Sequence, residues 1–184
     1  LGWGGPDDAR GSGWGPGGHA VDSQLTGLAC VVRHKWFVFL GGLRYGVPLH
    51  QLVVHDWTKF LPREWIPYVN QFYRPGAPKL RAGYFHNPDL GNVAFNTAWV
   101  RHCMRNRHHW QGYAMVSESG GDPVTIPMPE RFVREMVADW SGASRAQGFG
   151  PDPLPWYTKN RDRMHLHPQT RERVDALVGW VADV

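Results

Sequence analysis

The sequence predicts an all-α fold in a single domain. Apolar residues recur at three- and four-residue intervals over most of the chain, and the alternation typical of half-buried strands is scarce. A length of 184 residues suits one domain with a sizeable core, and no internal repeat is visible. These observations favour one helical bundle, which we expect to span residues 25–184.

Residues 1–24 are predicted to form a flexible arm outside this bundle. Gly and Pro dominate the segment, and few of its side chains could be buried in a core. The first helix should therefore begin at Leu25. Gly41 and Gly42 are predicted to end it, because glycine commonly terminates helices.

The middle of the chain predicts three more helices. The stretch "VPLHQLVVHDWTKFLP" favours a second helix that stops at Pro62, and "PREWIPYVNQFY" a short third one. Residues 74–91 are rich in Pro and Gly and predict a loop. The longest helix is expected to start near Asn92 and to continue through "RNRHHWQGYAM".

The last third predicts two helices. After a polar loop over residues 117–129, a helix should begin with Pro129 in its first turn and end at Gly148. A Pro-rich connector then leads to a closing helix over "HPQTRERVDALVGWVADV".

Composition limits the classes of function. The net charge of +4 is mildly basic with mixed signs, so a nucleic-acid surface is neither indicated nor excluded. Cys30 and Cys103 are too few for a disulfide framework or a zinc knuckle, which favours a reducing compartment. No apolar run approaches the ~18 residues of a membrane span, so we expect a cytoplasmic protein without a membrane partner. A homodimer remains open.

The unusual feature is 10 Trp and 10 His, which sit side by side in "HKW", "HDW" and "HHW". Residues four or seven apart on a helix share a face. That spacing groups several imidazoles, carboxylates and other polar side chains: His102 with Asn106 and His109, Glu135 with Asp139, and His55 with Lys59. Such ligands suit divalent Zn, Mn, Fe or Co. The predicted site would hold one or two such ions. The alternative is that these residues are only helix ends, packed rings and solvated faces.

The same segments resemble a known superfamily. The order of an isolated His, a His-Asp pair, further His and a distant Asp resembles the HD-domain metal-dependent phosphohydrolases, and "HDWTK" is similar to their HD-x-x-K variant. A closer resemblance joins "HKWFVFL", "HDWTKF", "AWVRHCMRNRHHWQ" and "MPERFVREMVADWSGASRAQ" to a phage- and metagenome-associated family of uncharacterised HD-like proteins. It covers about residues 33–148.

The resemblance implies a ligand set. One metal would be held by the four residues that match the superfamily pattern: His34, His55, Asp56 and Asp139. In binuclear members the Asp of the pair bridges to a second metal, here held by His102 and either His108 or His109. A shared helical face favours His109. The superfamily often places a catalytic Glu after the pair, where this chain offers Lys59 and, farther on, Glu64, so the general acid stays open.

Other residues are assigned roles around the metal. Lys59 and either Arg105 or Arg145 would neutralise an oxyanion, although a solvated face is the stronger interpretation for Arg105. Glu135 would hold a His ring or act as a base, with a surface ion pair as the alternative. The expected substrate-binding side chains flank the ligands, although core packing is the commoner role of such Trp residues: Trp57, Trp110, Trp140, Asn106 and His108.

These expectations point to a metal-dependent hydrolase that uses a metal-activated water on a small-molecule substrate. Phosphate esters of nucleotides are the favoured class. The first alternative is a glycosidase or promiscuous hydrolase at the same site, because fold and metal do not fix the reaction. The second is a non-catalytic phage module that binds a structural metal or a nucleotide.

Overall fold

The computed structural model describes residues 16–73 and 92–179. It confirms the all-α fold, with seven α-helices and one two-stranded hairpin in the described part. The helices are α1 (Pro16–Tyr45), α2 (Leu49–Val54), α3 (Pro62–Phe72), α4 (Val93–Arg105), α5 (Glu130–Ala146), α6 (Leu154–Asn160) and α7 (Pro168–Val178). Strands β1 (Ala114–Met115) and β2 (Val124–Thr125) pair antiparallel, with Ala114 opposite Thr125. No helix among the described residues is long and apolar enough to cross a bilayer.

Helix α1 differs from its prediction at both ends. It begins at Pro16, so residues 16–24 are helical, whereas the rest of the predicted arm lies outside the described residues. It also runs through Gly41 and Gly42 to Tyr45, so the prediction that these glycines end it was wrong. They serve packing instead. A Cβ on Gly42 would lie 2.2 Å from the Leu52 side chain, and one on Gly41 would lie 3.2 Å from a backbone oxygen of α5.

The close crossing of α1 and α5 is the central contact of the fold. Val31 and Val38 of α1 are buried against it. A Cβ on Gly142 of α5 would approach the backbone nitrogen of Val38 to 2.6 Å, so the helices meet almost backbone to backbone. This crossing brings His34 of α1 opposite Asp139 of α5.

A hydrophobic core supports α5 from its other side. It consists of buried side chains from α5, α6, α7 and the neighbouring loops, including Val133, Met136, Val137, Trp140, Tyr157, Val174 and Val178. The Tyr157 hydroxyl donates a hydrogen bond of 2.5 Å to Asp175 Oδ1. Helix α6 lies where a Pro-rich connector was predicted. The predicted bounds of α5 are confirmed within two residues, and α3 and α7 begin at prolines as expected.

Three predicted helices are shorter than expected. The second ends at Val54, and after His55 and Asp56 the chain continues as a short 3-10 helix, Trp57–Phe60. The fourth ends at Arg105, because Asn106 turns its amide back to donate to His102 O at 2.9 Å. The closing helix was predicted to continue through Gly179 to Val184, but α7 ends at Val178, because Gly179 takes a left-handed conformation at φ 72°. The predicted loop 74–91 and residues 180–184 lie outside the described residues.

Candidate metal centre

Four side chains from three parts of the chain meet beside the α1 and α5 crossing. We call this group site A: His34, His55, Asp56 and Asp139. Asp139 Oδ1 lies 3.0 Å from His34 Nε2 and 3.4 Å from His55 Nε2. Asp56 Oδ2 lies 3.6 Å and 3.5 Å from the same two nitrogens. One ligand atom from each residue falls within 4.8 Å of all the others, so the group could hold a metal ion.

A second group adjoins the first and shares one residue with it. We call it site B: Asp56, His102, His108 and His109. Asp56 Oδ1 lies 3.2 Å from His102 Nε2 and 3.4 Å from His108 Nε2. Asp56 therefore offers Oδ2 to site A and Oδ1 to site B, which is the arrangement of a carboxylate that bridges two ions.

The backbone at Asp56 is built for this position. It is the only described non-glycine residue with positive φ, at φ 54° and ψ 20°. This left-handed conformation is sparsely populated, although Asp tolerates it better than most residues. Just before it, Lys35 Nζ donates to the backbone oxygen of His55. The turn sends His55 and Asp56 into the same buried centre, which a continuous helix would not do.

The buried atoms that face the centre lack hydrogen-bond partners among the described residues. Leaving a buried polar group unsatisfied costs about 1–3 kcal/mol, so such atoms are rare unless a ligand engages them. Those of sites A and B are Nε2 of His34, His55, His102, His108 and His109, and Oδ1 of Asp56 and Asp139. They are the donor atoms that transition metals bind.

Two buried carboxylates orient the imidazoles from behind. Glu135 Oε1 lies 2.9 Å from His55 Nδ1 and 3.4 Å from His108 Nδ1. Glu64 Oε2 lies 2.9 Å from His102 Nδ1. A carboxylate at Nδ1 favours the proton on that nitrogen and leaves the Nε2 lone pair directed at the centre.

These carboxylates are themselves held in place. Gln51 Nε2 donates to Glu135, and Thr58 Oγ1 donates to Glu64 at 2.9 Å. Burial alone would raise the pKa of Glu135, but its hydrogen bonds to His108 and His55 lower that pKa to about 2. Glu135 is therefore ionised throughout the physiological range.

The electrostatics of the centre favour positive charge. Burial opposes ionisation of His55, yet Asp56, Asp139 and Glu135 together raise its pKa to about 10. Burial would raise the pKa of Asp56 and of Asp139, but the surrounding cationic side chains hold both well below their usual value. His109 differs, because burial and the neighbouring imidazoles lower its pKa.

Lys59 lies at the rim of the centre. Its Nζ donates to Asp56 Oδ2 at 2.5 Å. Burial would lower the pKa of Lys59, but Asp56 raises it above its usual value, so the ammonium remains charged. The side chain also lines a small cavity between α3 and α4, with Tyr68, Phe95, Trp99 and His102 among the other walls.

The family match spans the part of the chain that contains every residue of sites A and B. A family model described as a family of unknown function, DUF5662, matches residues 24–179. The chain belongs to that family. No curated protein and no solved structure matches it. Within this DUF5662 chain, the likeness to HD-domain enzymes rests on the quoted motifs alone.

The structure places some predicted site residues differently. His109 was favoured over His108 because both His102 and His109 were expected on one helix, but α4 contains His102 and ends at Arg105, before His108 and His109. Both imidazoles belong to site B, so His108, predicted to bind substrate, lies in the centre itself. Asn106, also predicted to bind substrate, lies beside His102, with Nδ2 3.0 Å from both Thr58 Oγ1 and His102 Nδ1.

Other predicted residues lie away from the centre. The Arg145 guanidinium stacks over Phe37, 4.5 Å from the ring centroid, and no ion pair or hydrogen bond among the described residues joins it to sites A and B. Trp140 is buried in the hydrophobic core against Tyr157, and Trp110 packs on that same core. Trp57 follows Asp56 but is more than half exposed.

The supporting residues Gln51, Thr58 and Glu64 were not predicted to orient the imidazoles. Gln51 bonds to Glu135 from 84 residues away, and Glu64 bonds to His102 from 38 residues away, so no local spacing links these pairs. The one sequence signal that could have identified such a residue is a polar side chain within an apolar pattern. Glu64 fits it, because it lies in the first turn of α3 and is only 4% exposed.

Proposed function

We propose that the protein is a metal-dependent hydrolase that acts through one or two divalent transition-metal ions, with phosphate esters of nucleotides as its substrate class. The observation that carries this proposal is the convergence of unpaired Nε2 and carboxylate atoms on two adjoining points that share Asp56. The resemblance to HD-domain phosphohydrolases supports the choice of reaction.

The donor set suits Zn, Mn, Fe or Co. Site A would hold an ion through two imidazoles and two carboxylates, and site B through three imidazoles and the shared carboxylate. When bound, such an ion supplies Lewis acidity and a water of lowered pKa. Glu135 and Glu64 keep the Nδ1 protons of His55, His108 and His102 in place.

Lys59 gives the centre a fixed cation beside the small cavity. Its ammonium remains protonated at neutral pH and could steady negative charge that develops on a phosphoryl oxygen. Structural metal sites are usually closed by protein ligands on every side. A cavity whose walls include both Lys59 and His102 therefore favours catalysis over a purely structural role.

The test combines metal analysis with activity. The purified chain would be stripped with a chelator, reloaded separately with Zn, Mn, Fe or Co, and assayed on nucleoside monophosphates and on phosphodiesters. We expect activity that disappears on stripping and returns with metal. His34→Ala should lose it, whereas His50→Ala, an exposed histidine on α2, should not.

Two results would contradict the proposal in different ways. A chain that cannot be loaded with any of these ions would show that the centre is only a buried polar network. A chain that holds metal tightly, survives chelation and hydrolyses no phosphate ester would support the non-catalytic alternative. Activity on glycosides alone would favour the glycosidase.

A further inference from the structure

Helix α1 carries an apolar stripe on the face that points away from the core. Five of its large apolar side chains are between 42% and 61% exposed: Leu25, Leu28, Val32, Trp36 and Leu43. At about 100° per residue they fall within a sector of about 80°, and they extend over about 27 Å of helix. The sector contains no charged residue between Leu25 and Leu43.

This face is separate from the candidate metal centre. His34 lies about 160° around the helix from the middle of the stripe, and the buried Val31 and Val38 lie at least about 100° from it. The stripe is therefore not explained by the packing of α1 on α5. Soluble monomers seldom expose a continuous apolar patch of this kind, and such patches commonly mark interfaces.

We propose that the stripe binds the same stripe of a second copy of this chain, with the two α1 helices antiparallel about a two-fold axis. The order of the side chains suits this arrangement. Leu25 and Leu43 are equally distant from position 34, and so are Val32 and Trp36. An antiparallel pair centred there would set Leu25 against Leu43 and Val32 against Trp36, giving the self-complementary contact of a two-fold dimer.

The charges beside the stripe agree with this direction. Asp22 and Arg44 are exposed near opposite ends of the described stripe and on the same side of the helix, about 80° and 120° from the middle of the stripe, so only their side chains could reach its edge. In an antiparallel pair each flank meets the same flank of the partner, so Asp22 of one copy would face Arg44 of the other. A parallel pair would leave these residues at opposite ends. Arg33 lies on that flank near the axis, but its guanidinium stacks on Phe37 at 5.7 Å.

Neighbouring apolar surface enlarges the area available. A stable interface buries about 800 Å² on each partner, more than one helical stripe supplies on its own. Helix α2 packs on α1 through Leu52 at Gly42 and exposes Leu49 and Val53, at 60% and 68%. The C-terminal half of α1 and α2 could therefore contribute together.

The first test is the mass of the full chain in solution, by light scattering over a concentration series. We expect twice the chain mass of 20.9 kDa. Val32→Glu should raise the dissociation constant at least about 100-fold, because two like charges would meet near the axis. The matched control is Val100→Glu on α4, since Val100 is 56% exposed and Val32 is 52% exposed. It should leave the dimer intact.

Cross-linking tests the direction and does not depend on how well Val32→Glu folds. In a Cys30→Ser background, one chain carries Leu25→Cys and a tagged chain carries Leu43→Cys. An antiparallel pair should form mixed disulfides between the two chains, whereas a parallel pair would form only like with like. Like-with-like products alone, or a dimer that Val32→Glu leaves intact, would overturn the proposal. A monomer at every concentration would also overturn it and leave the stripe to residues 1–15 or to another protein.

Discussion

Sites A and B share Asp56 but differ in charge and in the backbone that carries them. Site A has two carboxylates, and two of its ligands come from the long helices α1 and α5, which cross almost backbone to backbone. Site B has the shared carboxylate and three imidazoles, two of which follow the end of α4 in non-helical chain. Anionic ligands on rigid elements retain a divalent ion best, so site A should bind metal more tightly than site B.

The largest effect should come from the shared residue. Asp56→Ala removes an oxygen from both sites and leaves several buried imidazoles without their main counter-charge. We expect metal affinity to fall by more than about 100-fold at both sites, which elemental analysis after dialysis against a weak chelator would detect. Asp122→Ala, in an exposed loop, is the control. Retention of one full equivalent by Asp56→Ala would show that the sites do not share this ligand.

The residues behind the ligands should separate the two sites. Glu64 contacts only His102 of site B, whereas Glu135 contacts His55 of site A and His108 of site B. Glu64→Gln should therefore weaken the second metal-binding phase by about 10- to 100-fold and spare the first. Glu135→Gln should weaken both. Calorimetric titration with Zn or Co measures the two phases, and equal effects of both variants on both phases would contradict this division.

The smallest effect, counted per pH unit, should be a pH dependence at site A. His55 has its pKa raised from 6.5 to about 10, so without metal its protonation stabilises the fold. That stability is fully present below pH 6.5 and is lost as pH rises toward 10. Metal needs the neutral ring, so its affinity should change in the opposite direction, by about tenfold per pH unit for one displaced proton.

Melting temperatures of the stripped and loaded protein between pH 6.5 and 10 would check this. The stripped protein should become less stable, and the difference from the loaded protein should widen. Parallel slopes for the two forms would mean that metal binding displaces no proton from the centre.

Much of the fold followed from local patterns. The bounds of α3 and α5 and the start of α7 could be predicted because proline and glycine punctuate them. The breaks at His55 and after Asn106 could not. They depend on side chains that bond to backbone carbonyls, with Lys35 acting from 20 residues away. Local periodicity contains no information about such contacts.

The candidate site shows the same limit. The resemblance grouped His34, His55, Asp56 and Asp139, and the structure brings these four side chains together. Motif order could group them because it does not depend on where helices end. The preference for His109 over His108 rested on a helix that ends at Arg105, and the candidate group contains both imidazoles. The predicted end of α1 at Gly41 and Gly42 was wrong for a related reason. These glycines lack side chains because α5 and Leu52 pack closely against them, and not because the helix ends there.

The contact between Lys59 and Asp56 bears on the order in which a metal ion and an anion would bind. The ammonium occupies Oδ2, the oxygen that Asp56 offers to site A. A divalent ion there would compete for that oxygen, and Lys59 also lines the cavity beside His102. Loading would then release a positive charge toward that cavity, so an anion should gain affinity only after the ion has bound. The proposed enzyme would in this way admit its substrate only after it has bound metal.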